Sequence, residues 1–254
     1  MPVYLGMLFR LLFLLPVVLW LSACRKENRL DCFKGNGEMI TVTRDPGSFQ
    51  YITIHDNLDV FIRQGPQFRV EVTSGSKIID DIRTEVKDSA LVVENLNVCN
   101  FVRGYKKRTS VTITTPQLIK LTHMGVGPVR FDEGFSQETL RMRTESSGDV
   151  YISGTYTSLV TSAHGNGDIY LTAKTHQLYV YTYGTNFLFA DKLDIDGYVF
   201  VQTLSLGDVI INGTRLGLLD YDIQSQGNVR CSGNPNVRNV GGRKDAKGRF
   251  IRED

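Results

Sequence analysis

The stretch "SSGDVYISGTYTSLVTSAHGNGDIYLTA", residues 146–173, contains one short motif twice. GDVYI at 148–152 returns as GDIYL at 167–171, a step of 19 residues. In both copies apolar residues occupy alternate positions, which is the pattern of a β-strand with one buried face. The motif therefore indicates either a repeating β-fold or a site built from the paired aspartates.

The motif continues on both sides of this stretch. The further copies are GPVRF (127–131), TNFLF (185–189), GDVII (207–211) and GNVRC (227–231). The steps between the third residues of successive copies are 21, 19, 18, 22 and 20. In this alignment Phe187 and Phe189 point inward, and Asn186 occupies the aspartate position. A second alternating strand precedes each copy, beginning at Leu121, Leu140, Leu159, Leu178, Val199 and Tyr221.

A sustained period of about 20 residues predicts a stacked array, because a single strand–turn–strand unit cannot bury its apolar face alone. The predicted fold is all-β, a parallel β-helix-like solenoid with rungs of about 20 residues. The competing fold is a β-sandwich, which has hairpin turns and no fixed long-range period.

The preceding part of the chain reads as less regular rungs. Alternating strands are predicted within 49–65, 68–75, 90–96 and 109–116. One short helix is predicted over 76–86, with Ser76 as its N-cap and Ile78, Ile79 and Ile82 on one face. We expect it to cover an open end of the array, since the ends of solenoids need capping.

The N-terminus has the pattern of a bacterial lipoprotein. Residues 1–23 form a signal peptide with an apolar run, and Cys24 follows a small-residue cleavage site. The alternative is an uncleaved membrane helix. The predicted organisation is a signal peptide (1–23), a tether lipidated at Cys24 (24–31), a single β-helix-like domain (32–240) and a polar C-terminal tail (241–254).

Three cysteines follow Cys24. An exported chain meets an oxidising compartment, so one disulfide and one leftover thiol are expected. Spacing does not fix the pairing. Cys32 and Cys99 lie in polar, loop-like contexts and are the favoured pair, whereas Cys231 is in phase with inward apolar positions.

No sequence motif indicates a cofactor, a metal or nucleic acid. The formal net charge is only +2 and no basic stripe is present, so nucleic acid is not an expected partner. The histidines His55, His123, His164 and His176 lack metal-ligand spacing, with His123 in the inward phase and His164 beside a turn.

Asp149, Asp168 and Asp208 fall in one column of the alignment, together with Asn186 and Asn228. Asp and Asn after Gly are typical of tight corners, where the side chain bonds its own backbone. A cation site or an acid–base pair is the alternative interpretation of this column.

Outward-facing aromatic residues are the candidate binding face. Tyr179, Tyr181 and Tyr183 alternate with inward residues, Phe200 follows in the next rung, and Tyr151 and Tyr170 project from the second strand of their rungs. Exposed tyrosines on a flat β-face suit saccharides or a partner protein. The alternative is an aromatic ladder that only stabilises the sheet.

Residues 31–65 and 83–107, and the closing GNVRCSGNPNV at 227–237, resemble the Bacteroidetes lipoproteins described as putative auto-transporter adhesin, head GIN domain proteins. The resemblance spans most of the chain after Cys24 and contains no catalytic signature. It implies a right-handed β-helix-like fold and a cell-envelope location, and it supports pairing of Cys32 with Cys99. Cys231 is not an expected family feature.

These observations lead to a functional hypothesis. The chain is expected to be a non-enzymatic outer-membrane lipoprotein, on the periplasmic face or the cell surface, that binds a glycan or a protein partner. The alternatives are a polysaccharide-active enzyme using Asp149 and Asp168, and a purely structural envelope protein.

Overall fold

The structure is a computed structural model that describes residues 35–97 and 108–253. The fold is a nearly all-β solenoid of about 6 turns with rungs of about 21 residues. The predicted fold class and the repeat length of the rungs are therefore confirmed.

The described residues form 21 strands. In chain order they are β1 (Met39–Arg44), β2 (Tyr51–Ile54), β3 (Asp59–Gln64), β4 (Arg69–Gly75), β5 (Ile82–Lys87), β6 (Ala90–Asn95), β7 (Ser110–Thr115), β8 (Lys120–His123), β9 (Val129–Phe131), β10 (Ser136–Thr144), β11 (Val150–Ile152), β12 (Thr155–Ala163), β13 (Ile169–Leu171), β14 (Lys174–Gly184), β15 (Leu188–Ala190), β16 (Asp194–Ser205), β17 (Val209–Asn212), β18 (Leu218–Ile223), β19 (Val229–Ser232), β20 (Asn236–Asn239) and β21 (Phe250–Glu253).

Two sheets enclose the core. The 11-stranded sheet has the order β1-β4-β7-β3-β9-β11-β13-β15-β17-β19-β21, and the 10-stranded sheet has the order β20-β18-β16-β14-β12-β10-β8-β2-β6-β5. From β8 onward each rung gives one strand to each sheet, and successive rungs pair in parallel. Equivalent residues of neighbouring rungs therefore lie one strand spacing apart, about 4.8 Å.

Inward side chains form continuous apolar columns. On the 11-stranded sheet one column is fully buried and consists of Val129, Val150, Ile169, Leu188, Val209 and Val229. On the 10-stranded sheet Leu140, Leu159, Leu178, Val199 and Leu219 form another. Each such side chain contributes roughly 1.5–3 kcal/mol relative to an exposed position, so the core is built rung by rung.

The alignment of the fourth copy, TNFLF, is wrong by one residue. The structure pairs Ile169 with Leu188 and Leu188 with Val209. Leu188 and Ala190 are therefore buried, whereas Phe187 is 40% exposed and Phe189 is half-buried on the outer face. The true steps around this rung are 19 and 21 residues. A one-residue slip exchanges the two faces of a strand, because successive side chains alternate.

The register of the preceding strands also differs at both ends of the predicted alignment. Leu121 lies opposite Met142, and Tyr221 lies opposite Val201. Each shift is two residues, so both side chains keep the predicted inward phase.

The predicted helix over 76–86 is wrong. The structure has only a single turn of 3-10 helix, Ile79–Asp81, followed directly by β5. In β5 the residues Ile82, Thr84 and Val86 alternate with charged residues, and β-branched residues favour a strand in such a pattern. Ile79 and Ile82 are buried, but the segment after Asp81 has the period of a strand and not that of a helix.

Antiparallel strands cover one end of the solenoid where the helix was expected. β4 pairs antiparallel with β7, β1 pairs antiparallel with β4, and β5 pairs antiparallel with β6. The rungs beneath them do not follow chain order. The β2/β3 rung lies between the later β6/β7 rung and the β8/β9 rung.

The other end is closed by β20 and β21. β21 pairs with β19, and Phe250 stacks on Tyr221 with ring centroids 5.4 Å apart. The predicted polar tail, 241–254, therefore contains part of the last rung rather than lying wholly outside the domain. In this rung Asn239 and Arg252 lie opposite Tyr221 and Cys231, and both are exposed. Polar residues at the end of the core are typical of a capping rung.

Cys231 is the one cysteine within the described residues, and it is free and buried as predicted. Burial raises the pKa of its thiol to about 11. The predicted lipidation site Cys24 and the predicted pair Cys32 and Cys99 lie outside the described residues. Within the described ranges, no helix has the length and apolar character needed to span a membrane.

Candidate binding faces

The six aromatic residues predicted as a binding face lie on two different sheets. Tyr151 and Tyr170 belong to β11 and β13 of the 11-stranded sheet. The other four belong to β14 and β16 of the 10-stranded sheet and are Tyr179, Tyr181, Tyr183 and Phe200. All six are half-buried on an outer face. They therefore form two separate surfaces.

On the 11-stranded sheet, Tyr151, Tyr170 and Phe189 form an aromatic ladder. The ring centroids are 4.8 and 4.9 Å apart, and the rings are inclined by only 8° and 10°. The guanidinium of Arg130 covers the next ring face, 4.7 Å from the Tyr151 centroid. Because the flat faces contact one another, the ladder presents ring edges to solvent. This geometry suits sheet stabilisation more than stacking against a ligand.

On the 10-stranded sheet, the rings of β14 and β16 are arranged differently. Tyr179 and Tyr198 have centroids 5.8 Å apart at an interplanar angle of 69°, and Tyr181 and Phe200 are 5.8 Å apart at 53°. Because neighbouring rings are inclined, they do not cover one another face to face. These four residues are called the aromatic cluster.

Strand register brings the aromatic cluster together. Tyr179 lies opposite Phe200, and Tyr198 lies opposite Gln177 after an irregularity in the pairing of β14 with β16. Sequence reasoning missed Tyr198. The signal was present, since Tyr198 precedes Phe200 by two residues and so shares its face.

A polar rim borders the aromatic cluster on β18 and β20. The hydroxyl of Tyr198 donates to Asp220 at 3.0 Å, and Arg238 donates two hydrogen bonds to Asp220, each at 2.7 Å. The hydrogen bonds from Arg238 lower the pKa of Asp220, while burial and the bond to Asp220 raise the pKa of Tyr198 to about 12. Asp220 therefore stays ionised and holds the Tyr198 ring in place.

Tyr183 lies beside the aromatic cluster but is covered by His164. Their ring centroids are 4.4 Å apart at an interplanar angle of 12°. The Nε2 atom of His164 is also 2.7 Å from the Oγ atom of Ser162. Burial, followed by the charge of Arg143, lowers the pKa of His164. One face of Tyr183 is thus occupied within the protein.

The Gly-Asp motif is a corner with a hydrogen-bonding role. Oδ1 of Asp149 accepts the backbone N–H of Asp168 at 3.0 Å, and Oδ1 of Asp168 accepts that of Phe187 at 2.8 Å. Oδ1 of Asp208 accepts the N–H of Asn228 at 2.8 Å. Each carboxylate therefore satisfies the amide of the next rung, not its own backbone.

Asn186 does not share the aspartate column. The corrected register places it beside Gly167 and Gly207, where it is fully buried. Its amide donates to the carbonyls of Gly165 and Tyr183 at 2.8 and 2.6 Å. Glycine is required at the neighbouring corner, since a Cβ on Gly167 would lie 2.3 Å from the carbonyl oxygen of Gly148.

Residues 48–235 match the family model described as "Putative auto-transporter adhesin, head GIN domain". The chain belongs to this head GIN domain family. The family match contains every strand from β2 to β19, including the aromatic cluster and the ladder.

Crystal structures of similar proteins share the fold. A putative adhesin from Bacteroides fragilis superposes with a TM-score of 0.70 at 20% identity, over 85% of this chain and 97% of that one. A putative lipid binding protein from Parabacteroides distasonis gives 0.60 at 16% identity, over 87% and 98%. A putative adhesin from Parabacteroides merdae gives 0.59 at 16% identity, over 87% and 98%. No protein with a curated description matches the chain.

The described part of this head GIN domain chain offers no constellation of three His, Cys, Asp or Glu side chains that would hold a metal ion. The outer faces of the described strands present aromatic rings, hydroxyls, amides and charged side chains.

Proposed function

We propose that this protein is an adhesin-type module of the cell envelope that binds a glycan through the aromatic cluster of the 10-stranded sheet. Its family and the names of its structural relatives support an adhesin-like envelope role. In this proposal the chain is tethered to the outer membrane by lipid on Cys24, and Cys32 and Cys99 form a disulfide near the tether.

The inclined geometry of the aromatic cluster carries the proposal. Sugar rings pack their C–H faces against aromatic rings, which requires ring faces that are not stacked on other rings. Tyr179, Tyr181 and Phe200 meet this requirement, whereas the ladder of Tyr151, Tyr170 and Phe189 does not. Asp220 and Arg238 at the rim supply the polar groups that orient a ligand.

The test is a glycan-binding screen with the purified chain and its Tyr179→Ala/Tyr181→Ala variant. We expect the variant to fold normally and to bind at least about tenfold more weakly, because central aromatic residues dominate binding energy. Circular dichroism and thermal melting check the fold of each variant.

The matched control is Tyr183→Ala, in the same strand and the same alternation. Because His164 already covers one face of Tyr183, this variant is expected to retain binding. The proposal is contradicted if the native chain retains no glycan, or if the double variant binds as well as the native chain. Capture of an envelope protein that the double variant also loses would assign the cluster to a protein partner instead.

A further inference from the structure

The aromatic cluster is continuous with a basic segment of the same sheet. One outward column runs across six strands in register and consists of Tyr51, Lys120, Arg141, Val160, Tyr179 and Phe200. Four strand spacings separate Lys120 from Phe200, a length of about 19 Å. A ligand lying across the rungs from Phe200 therefore reaches Arg141 and Lys120.

The cations of this column lack acidic partners. Neither Lys120 nor Arg141 forms an ion pair within the described part of the chain. They also lie opposite each other on neighbouring strands, which places two like charges side by side. Such a pair is mutually repulsive, and a bound anion relieves the repulsion.

Several acidic residues of the same sheet are engaged by the protein itself. Glu145 pairs with Arg143, and Asp220 pairs with Arg238. Asp222 accepts hydrogen bonds from the amides of Gln202 and Gln224, at 2.8 and 2.7 Å. Lys120 and Arg141 therefore form a locally basic segment, with the exposed Glu138 three residues before Arg141 as a nearby acidic group.

Arg141 also lines a cleft of about 330 Å³, to which Glu138 contributes as well. The side chain of Gln137 contributes to its wall, where Nε2 donates to the carbonyls of Leu118 and Thr139, each at 2.7 Å. Its Oε1 accepts the N–H of Leu118 at 2.9 Å, so the amide is fixed in place. The basic segment is thus next to a preformed concave surface.

We infer that the glycan bound by the aromatic cluster is an acidic polysaccharide whose chain crosses the rungs from Phe200 to Lys120. This inference rests on the proposed function and names its ligand class. The aromatic cluster packs against sugar rings, and Arg141 and Lys120 bind carboxylate or sulfate groups further along the chain. Guanidinium groups bind such anions with two parallel hydrogen bonds.

The experiment compares dextran sulfate with dextran, and polygalacturonate with a neutral galactan, on the intact purified chain. We expect the anionic polymers to bind at least about tenfold more tightly at low salt, with a preference that falls as salt rises. The Lys120→Gln/Arg141→Gln variant should lose roughly three- to tenfold in affinity for the anionic polymers only.

The control variant Lys192→Gln/Lys244→Gln removes the same net charge from exposed positions elsewhere and should bind like the native chain. One outcome overturns the acidic ligand class and leaves the proposed function standing. In it, neutral and anionic polymers bind equally, and this binding is unchanged in Lys120→Gln/Arg141→Gln but lost in Tyr179→Ala/Tyr181→Ala. Loss of affinity in the charge variant with none in the tyrosine variant overturns the proposed site itself. Binding to anionic phospholipid vesicles but to no polysaccharide overturns both.

Discussion

At the scale of single residues, burial decides the chemistry of His123. Its side chain is fully buried and lies between Ile54 and Thr144 of the neighbouring rungs. Burial lowers the pKa of this imidazole to about 4, and the Gly127 backbone and then the negative charge of Asp149 oppose the shift only in part. The sequence alternation predicted an inward His123 correctly, but only the structure shows what surrounds it.

His123 is expected to make the protein less stable in acid. The unfolded chain takes up the proton near pH 6.5 and the folded chain near pH 4, so the unfolded state binds more protons in this window. The free energy of unfolding should fall by about 3 kcal/mol from pH 7 to pH 4 through this group alone. Urea unfolding measured at several pH values checks it.

The variant His123→Leu should lose this part of the pH dependence, while His55→Gln, a half-buried histidine of the same corner, should keep it. An unchanged slope between pH 4 and 6.5 in His123→Leu would show that other groups cause the acid sensitivity.

The sequence predicts which aromatic residues face outward, but not how their rings are arranged. Tyr179, Tyr181 and Phe200 were recognised from period-two alternation, which depends only on one strand. Whether rings stack or incline depends on the rotamers of neighbouring rungs, so the distinction between the ladder and the aromatic cluster could not be predicted.

At the scale of elements, the fourth copy of the motif, which contains β15, shows how alternation can mislead. In TNFLFA the residues Phe187, Leu188, Phe189 and Ala190 are all apolar, so the sequence does not say which pair is inward. Placing the larger side chains inside is the natural choice, and it is wrong because Leu188 and Ala190 continue the buried columns. Neighbouring rungs, with Asp168 and Asp208 opposite Phe187, determine the register.

Two substitutions test this register. Leu188→Ala should destabilise the protein by about 2–4 kcal/mol, because it removes buried methyl groups and leaves a cavity. Phe187→Ala should cost less than about 1 kcal/mol, since Phe187 is 40% exposed and contacts Phe189 at 5.9 Å between centroids. Denaturant unfolding measures both. The opposite order of the two costs would restore the predicted alignment.

At the scale of the whole molecule, the repeat predicts the solenoid but not its ends. Rungs from β8 to β19 follow one another in chain order, and their period is visible in the sequence. The order of β2/β3, β6/β7 and β8/β9 depends on pairing between distant segments, for which the sequence has no local signal. The antiparallel cap and the closing strand β21 were missed for the same reason.

The last rung is expected to contribute to stability. A chain ending at Asn239 lacks β21 and the stack of Phe250 on Tyr221, and so uncovers the backbone of β19. Its free energy of unfolding should fall by at least about 2 kcal/mol, the order expected for burying one large aromatic side chain. The point variant Phe250→Ala in the full chain should show a part of this loss. Thermal melting that is unchanged by the truncation would mean that 240–254 is a dispensable tail.

The position of the β2/β3 rung inside the stack affects how the chain is assembled. This rung is synthesised first, yet both of its long edges receive partners that come later in the chain, β6/β7 on one side and β8/β9 on the other. Unpaired strand edges recruit other chains, so a nascent molecule is most prone to aggregate until β9 has been made. After that point each new rung adds to a template that already exists. Duplicating a late rung should therefore preserve the fold. A change in the segment between β3 and β8 instead disturbs the first stacked rungs, onto which all later rungs add.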